Sequence, residues 1–169
     1  MKLSCQWRAG KSHPAPQRKK LVALIQEIVR LAGGPEVKAA TVTFLAPDAM
    51  AEINEAYLGH TGSTDVICFD YRTCGEPEEM FAIEDEDDDG DETPSVELFL
   101  CPAVAQREAE KRSLPYSREL TLYIAHGFLH AAGYDDLQPE LKRKMRRAER
   151  RVMDALPESM LEIFKLANE

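Results

Sequence analysis

Strand-forming and helix-forming runs alternate through the first two thirds of the chain and then give way to helix alone, and this order restricts the fold more than any other feature of the sequence. KLSCQWR (2–8) reads as a strand, ended by a Gly- and Pro-containing stretch through Pro16. In QRKKLVALIQEIVRLAG the apolar residues Leu21, Leu24, Ile25, Ile28, Val29 and Leu31 fall near helical spacing, and Gly33-Gly34-Pro35 stop the run. VKAATVTFLA (37–46) is a second strand, and PDAMAEINEAYLG predicts a short helix opened by Pro47 and Asp48 and ended by Gly59. TDVICFDY (64–71) predicts a strand buried on both faces, because its apolar residues hardly alternate. SVELFLCP (95–102) is a fourth strand, and Pro102 opens a helix to about Arg112. A long helix carrying Leu120, Leu122, Ile124, Phe128, Leu129 and Ala132 follows and ends at Gly133; helical patterns from Pro139 to about Leu156 and from Glu158 to Ala167 close the chain. About four strands and five or six helices predict an α/β (α+β) fold: one layer of mixed strands covered by helices, in a single domain over residues 1–169.

The net charge of −9 argues against a polyanion as partner until its distribution is considered. EDEDDDGDE (84–92) holds eight acids and no base, and −9 + 8 leaves −1 for everything else. A segment of that composition cannot bury apolar surface, so a flexible acidic loop is expected. It follows an EF-hand pattern through Asp85, Asp87, Asp89 and Gly90, but the closing Glu should be residue 96, which is Val96, so calcium binding is not expected. Elsewhere, ELKRKMRRAERR (140–151) carries seven Lys or Arg against two Glu, a strongly basic helix suited either to solvent or to a polyanion. Four scattered cysteines without a CxxC pair read as free thiols, and no run of about 18 apolar residues occurs. A soluble, cytoplasmic protein is expected.

Residues 126–136 read HGFLHAAGYDD. His126 and His130, at i and i+4, lie on one helical face and can present two imidazoles to one ion; the spacing alone fits equally one packed and one surface histidine. Gly133 can turn the chain back, and Asp136 three residues later can supply a third ligand. The spacing is that of the metalloprotease pattern H-E-x-x-H-x-x-G-x-x-H, with Asp136 at the third histidine and Gly127 where the general base would stand, so peptidase activity by that route is not expected. Two His and one Asp around Zn²⁺, one per chain, leave a fourth position open to water, which suits a catalytic site better than a structural one.

The same residues resemble the H-G-x-L-H-L-x-G-Y-D-H signature of the YbeY family, metal-dependent single-strand endoribonucleases serving ribosomal RNA maturation, notably at the 3′ end of the small-subunit (16S) RNA. INEAYLGHTGSTDVICFD resembles that family's L-N-x-x-Y-R-G-x-D-x-P-T-D-V-L-S-F-P, and SVELFLCPAVAQREA its L-G-D-I-x-I-x-P-x-x-A-x-x-E-A, in the family's order. The family arginine falls on Leu58, the Gly-Asp pair on Val96 and Glu97, and the third histidine on Asp136. The resemblance implies a metal site of His126, His130 and Asp136 at the end of a central helix. It further implies an RNA cleft that Thr64 and Asp65 line, with Lys142, Arg143, Arg146, Arg147 and Arg150 as backbone-attracting cations. Thr64 and Asp65 fit strand capping as well, and His60 is a candidate replacement for the missing arginine. No general base is evident beyond water at the open metal position. Three readings follow: an endoribonuclease acting on ribosomal RNA in ribosome biogenesis, an RNA- or ribosome-binding assembly factor with a structural metal, and a metal-dependent hydrolase of another substrate.

Overall fold

A computed structural model describes residues 1–72 and 94–167. The acidic stretch at 84–92, its calcium-loop pattern and Cys74 therefore lie outside the described residues. Among the described residues there are four strands, β1 (Lys2–Arg8), β2 (Ala39–Leu45), β3 (Val66–Asp70) and β4 (Val96–Leu100). The six helices are α1 (Arg18–Ala32), α2 (Pro47–Ile53), α3 (Pro102–Arg112), α4 (Tyr116–Ala131), α5 (Pro139–Ala155) and α6 (Glu158–Leu161). The fold is α+β, with one mixed sheet in the order β1-β2-β4-β3. β1 and β4 pair with β2 in parallel, and β3 pairs antiparallel with β4.

Burial follows position in the sheet. Central β2 is buried at every residue but Thr41, and β4 buries Val96, Leu98 and Leu100, whereas edge strand β1 alternates exposed and half-buried residues. β3 departs from the expectation of a strand buried on both faces. It is the other edge, and only Ile67 is buried. Its apolar run serves two surfaces: Val66 faces α4, while the Phe69 ring packs against Tyr57, Tyr71 and Phe99 at centroid distances of 5.4, 6.3 and 6.1 Å.

α4 is the central helix. It lies along β3 and β4 and is packed against α1, α3 and α5, and so it is buried nearly all round. Pro at the first helical position opens α2, α3 and α5, where a missing N–H costs nothing. The helix expected through Gly59 is α only to Ile53 and finishes as a π turn, Asn54–Leu58. The last helix is also shorter than expected. It stops at Leu161 because Ile163 and Phe164 are drawn into the core. There Phe164 sits 6.1 Å from Trp7 and 6.2 Å from Phe44, and its N–H donates to Ser117 Oγ at 3.0 Å. Cys5, Cys68 and Cys101 are free thiols, and among the described residues no helix is long and apolar enough to cross a membrane.

Candidate metal centre

α4 carries His126 and His130 one turn apart near its C-terminal end. Gly133, at φ 95°, reverses the chain there; its N–H donates to His130 O (2.9 Å) and that of Tyr134 to Leu129 O (3.0 Å), satisfying carbonyls the helix end leaves open. Asp135 then accepts from the N–H groups of Asp136 (2.6 Å) and Leu137 (3.1 Å), a local turn that aims Asp136 back at the helix. Ligand atoms of His126, His130 and Asp136 all lie within 4.8 Å of one another. The two Nε2 atoms are 2.9 Å apart, and the Asp136 oxygens lie 4.0 Å from His126 Nε2 and 3.8 Å from His130 Nε2. Tetrahedral ligands at about 2.0–2.1 Å from zinc are roughly 3.3 Å from one another, so this triangle is the size of one face of such a site.

The hydrogen bonds behind the histidines decide what the triangle can hold. His126 Nδ1 lies 2.6 Å from Glu149 Oε1, and His130 Nδ1 lies 3.0 Å from the Tyr134 carbonyl oxygen. Both partners are acceptors, so each Nδ1 carries the proton and each Nε2 presents a lone pair. Two lone pairs at 2.9 Å with a carboxylate beside them require a cation between them, a proton or a metal ion. Burial alone would depress the His126 imidazole, but Glu149, with Asp65 and Asp136 adding to it, holds its pKa above the ordinary value. Burial and the neighbouring His126 hold that of His130 below it.

Gly127, between the histidines, sits where α4 comes closest to the sheet. A Cβ there would stand 2.0 Å from Leu98 Cδ2 and 3.2 Å from Val66 Cγ2. A glutamate at this position would have to displace Leu98 and Val66, so packing against the sheet disfavours the metalloprotease base here.

Beside the triangle runs a cleft of about 310 Å³ between α4 and α5. Asp65, Glu119, Asp136 and Glu149 line it together with the cations Arg112, Lys142 and Arg146. Of the residues singled out in the sequence, Asp65, Lys142 and Arg146 are thus brought together with His126 and Asp136. Thr64 is outside the lining and works one step removed: its hydroxyl donates to Asp65 Oδ1 (3.0 Å), which also accepts from Val66 N–H (2.9 Å), so capping and cleft roles coincide in Asp65. Arg143 does not line the cleft either; it is exposed and pairs with Glu140 at 3.6 Å. Leu58 is exposed at the end of the π turn, and Val96 is buried in β4, away from any role as ligand.

Sequence reasoning misses four polar cleft residues, Glu149, Glu119, Tyr123 and Arg112. Glu149 is the lone acid of its turn in a basic run, and nothing local announces that it faces a histidine 23 positions away. Glu119 and Tyr123 precede His126 by seven and three residues on the same helical face, a readable spacing. Glu119 is 2% exposed, its carboxylate accepts from Arg112 Nη1 at 3.0 Å, and burial pushes its pKa up. Tyr123 is pushed up as well, by burial and the Glu119 carboxylate. His13, unassigned by sequence, is a buried core residue bound through Nε2 to Gln106 Oε1 at 2.8 Å.

A family model described as Endoribonuclease YbeY matches residues 8–157. Among curated proteins, an Endoribonuclease YbeY of Lacticaseibacillus casei is 32% identical over 142 residues, covering 81% of this chain and 84% of its own. Those of Frankia casuarinae and Frankia alni are 34% and 36% identical over 105 and 106 residues, 62% of this chain in each case. The chain spans about half the length of these two, 50% and 56%. The solution structure of a Thermotoga maritima protein matches with a TM-score of 0.52 at 22% identity, over 90% of this chain and 89% of that one, a likeness of fold.

Proposed function

The chain belongs to the YbeY endoribonuclease family, and from that premise we propose that it is a zinc-dependent endoribonuclease that cleaves single-stranded RNA in the cytoplasm. Its substrate in this reading is ribosomal RNA of the small subunit, notably the 3′ end of 16S RNA, and its role is in ribosome biogenesis. The observation that carries the metal is the pair of Nε2 lone pairs 2.9 Å apart beside the Asp136 carboxylate, each fixed by an acceptor behind its ring. A zinc ion held by these three residues would supply Lewis acidity at a phosphoryl oxygen or at a water.

The chain's own groups do the rest. Glu149 holds the tautomer and orientation of His126, and Tyr134 O those of His130. Lys142 and Arg146 bring positive charge to a cleft that also holds four carboxylates, and Arg112, braced by Glu119, adds a third cation. These are the groups available to hold RNA phosphates where Leu58 offers no charge.

A second reading, an RNA-binding assembly factor with a structural metal, is favoured by the lack of a cation at Leu58. The two separate in one experiment: zinc content of the purified protein together with cleavage of a single-stranded ribosomal RNA fragment, by the native chain and by His126→Ala. About one zinc per chain and cleavage that the substitution abolishes support the nuclease; bound zinc with no cleavage by either protein would overturn it.

A further inference from the structure

The cleft occupies one flank of α5. On the opposite flank Tyr134, Lys144, Arg147, Ala148 and Arg151 line a second groove of about 260 Å³. Met145, Ala148 and Val152 fix the helix between the two by pointing into the core. At 100° per residue, Lys142, Arg146 and Glu149 then fall to one side of this apolar stripe and Lys144, Arg147 and Arg151 to the other.

The two flanks differ in sign. The cleft mixes four carboxylates with three cations, whereas the second groove has three cations and no carboxylate. The acids of α5 within the basic run are committed elsewhere, Glu140 to Arg143 and Glu149 to His126. Among the described residues, Lys144, Arg147 and Arg151 have no ion-pair partner. Three like charges converging on one concave surface repel one another, and an anion there relieves the repulsion.

The groove is also joined to the metal centre. Tyr134 lines it, and the carbonyl of the same residue fixes His130 Nδ1 at 3.0 Å. Arg143 is exposed on α5 between the two flanks, and Arg150, also exposed, lines a pocket with Arg112, Arg146 and Glu149 on the cleft side, so a row of positive charge crosses the helix from groove to cleft.

We propose that this groove is a second subsite for the phosphate backbone of the single-stranded nucleic acid, which crosses α5 with one stretch on Lys144, Arg147 and Arg151 and another in the cleft beside His126. The identity of the strand rests on the nuclease reading; the groove's binding of it is tested without cleavage. Fluorescence anisotropy would follow a labelled single-stranded oligoribonucleotide long enough to span α5, about 10–12 Å across with its side chains. Binding to the native chain, to Lys144→Gln/Arg147→Gln/Arg151→Gln and to Lys142→Gln/Arg146→Gln would be measured over a range of salt.

The groove variant should keep the native melting temperature and lose affinity at least 10-fold. Its salt slope should fall by about 2, at roughly 0.7 for each phosphate of a single strand that is no longer neutralised. Unchanged affinity and slope in the groove variant would overturn the proposal. So would equal displacement of the RNA by polyglutamate of matched charge, which would make the groove a site for acidic protein. If the native chain binds with this contrast but cuts nothing, the nuclease reading fails while the subsite stands.

Discussion

Helix α4 turns one face to β3 and β4 and another to α5, and the two obey different rules. Toward the sheet it offers Gly127, where a single added carbon would stand 2.0 Å from Leu98 Cδ2. Toward α5 it offers Glu119, Tyr123 and His126, every one of them in a polar contact or a pKa shift traceable to a neighbouring side chain. The sheet face is selected by volume and the α5 face by which atom donates and which accepts. A substitution's effect should therefore depend on the face it lies on more than on its distance from the metal centre, and Gly127 and His126, adjacent in sequence, make the sharpest pair.

The largest effect is expected on the sheet face. Gly127→Glu places a carboxylate against Leu98 and Val66, combining overpacking with an unpaired buried charge. The cost of several kcal/mol is a large part of the roughly 5–15 kcal/mol that holds a domain together, so the variant should be unfolded or aggregated by circular dichroism. Gly127→Ala should lose about 1–3 kcal/mol to overpacking, partly offset by about 1 kcal/mol of helix propensity. Leu98→Ala added to Gly127→Ala should cost less than the two single changes summed, because each vacates space for the other. Additive costs would show that volume is not what the face selects.

On the α5 face the fold should survive and the ion should be lost. If zinc binds His126, His130 and Asp136, a chelator should remove the linkage stabilisation, about 2.7 kcal/mol at a free zinc concentration 100 times the dissociation constant, and lower the melting temperature without unfolding the chain at 25 °C. His126→Ala should show no such response to chelator. Glu149→Gln keeps the shape of the side chain but removes the charge facing His126 Nδ1–H, and zinc affinity by calorimetry should fall about 10- to 100-fold with little change in the melting temperature of the chelated protein. A Glu149→Gln protein that binds zinc as the native chain does would break the comparison, since this face would then tolerate a change of acceptor.

What the sequence discloses divides along the same line. His126, His130, Gly133 and Asp136 are legible because a helical repeat and one reversal bring them together within eleven residues, and distance in space is fixed by distance in sequence. Glu149 is not, because its partner lies across a helix–helix contact and its neighbours in sequence are bases. Gly127 is visible as a departure from a protease pattern, but its cause is Leu98, on a strand that pairs far away in the chain. The strand count and helix order follow from hydrophobic period, whereas the edge position of β3 does not: Val66, Ile67, Cys68 and Phe69 read as a strand covered twice, and only the packing of Phe69 on Tyr57 and Phe99 shows that one cover is a patch of aromatic side chains. Helix α6 ends early for a similar reason, since Phe164 answers to Trp7 and Phe44 at the other end of the chain.

The smallest effect expected is electrostatic and lies at the C-terminal end of α4. Arg72, following β3, donates to Asp70 Oδ1 and Oδ2 at 2.8 and 2.7 Å, to the Pro35 carbonyl at 2.8 Å and to the Ala131 carbonyl, so it ties the edge strand to the last turn of α4. Hydrogen bonding to this guanidinium holds the Asp70 carboxyl below its ordinary pKa. A carboxyl depressed in the folded state binds its proton more readily in the unfolded chain, so its contribution is present above the unfolded value, near the ordinary 3.8, and is lost as pH falls through the folded one. As pH falls from about 5, the native chain should lose stability more steeply than Asp70→Asn, and the two curves should converge once the carboxyl is protonated in the folded state as well. Urea titrations across that range would measure the difference. Parallel curves would mean that Arg72 holds the end of α4 through the backbone carbonyls alone, with Asp70 contributing no net charge interaction.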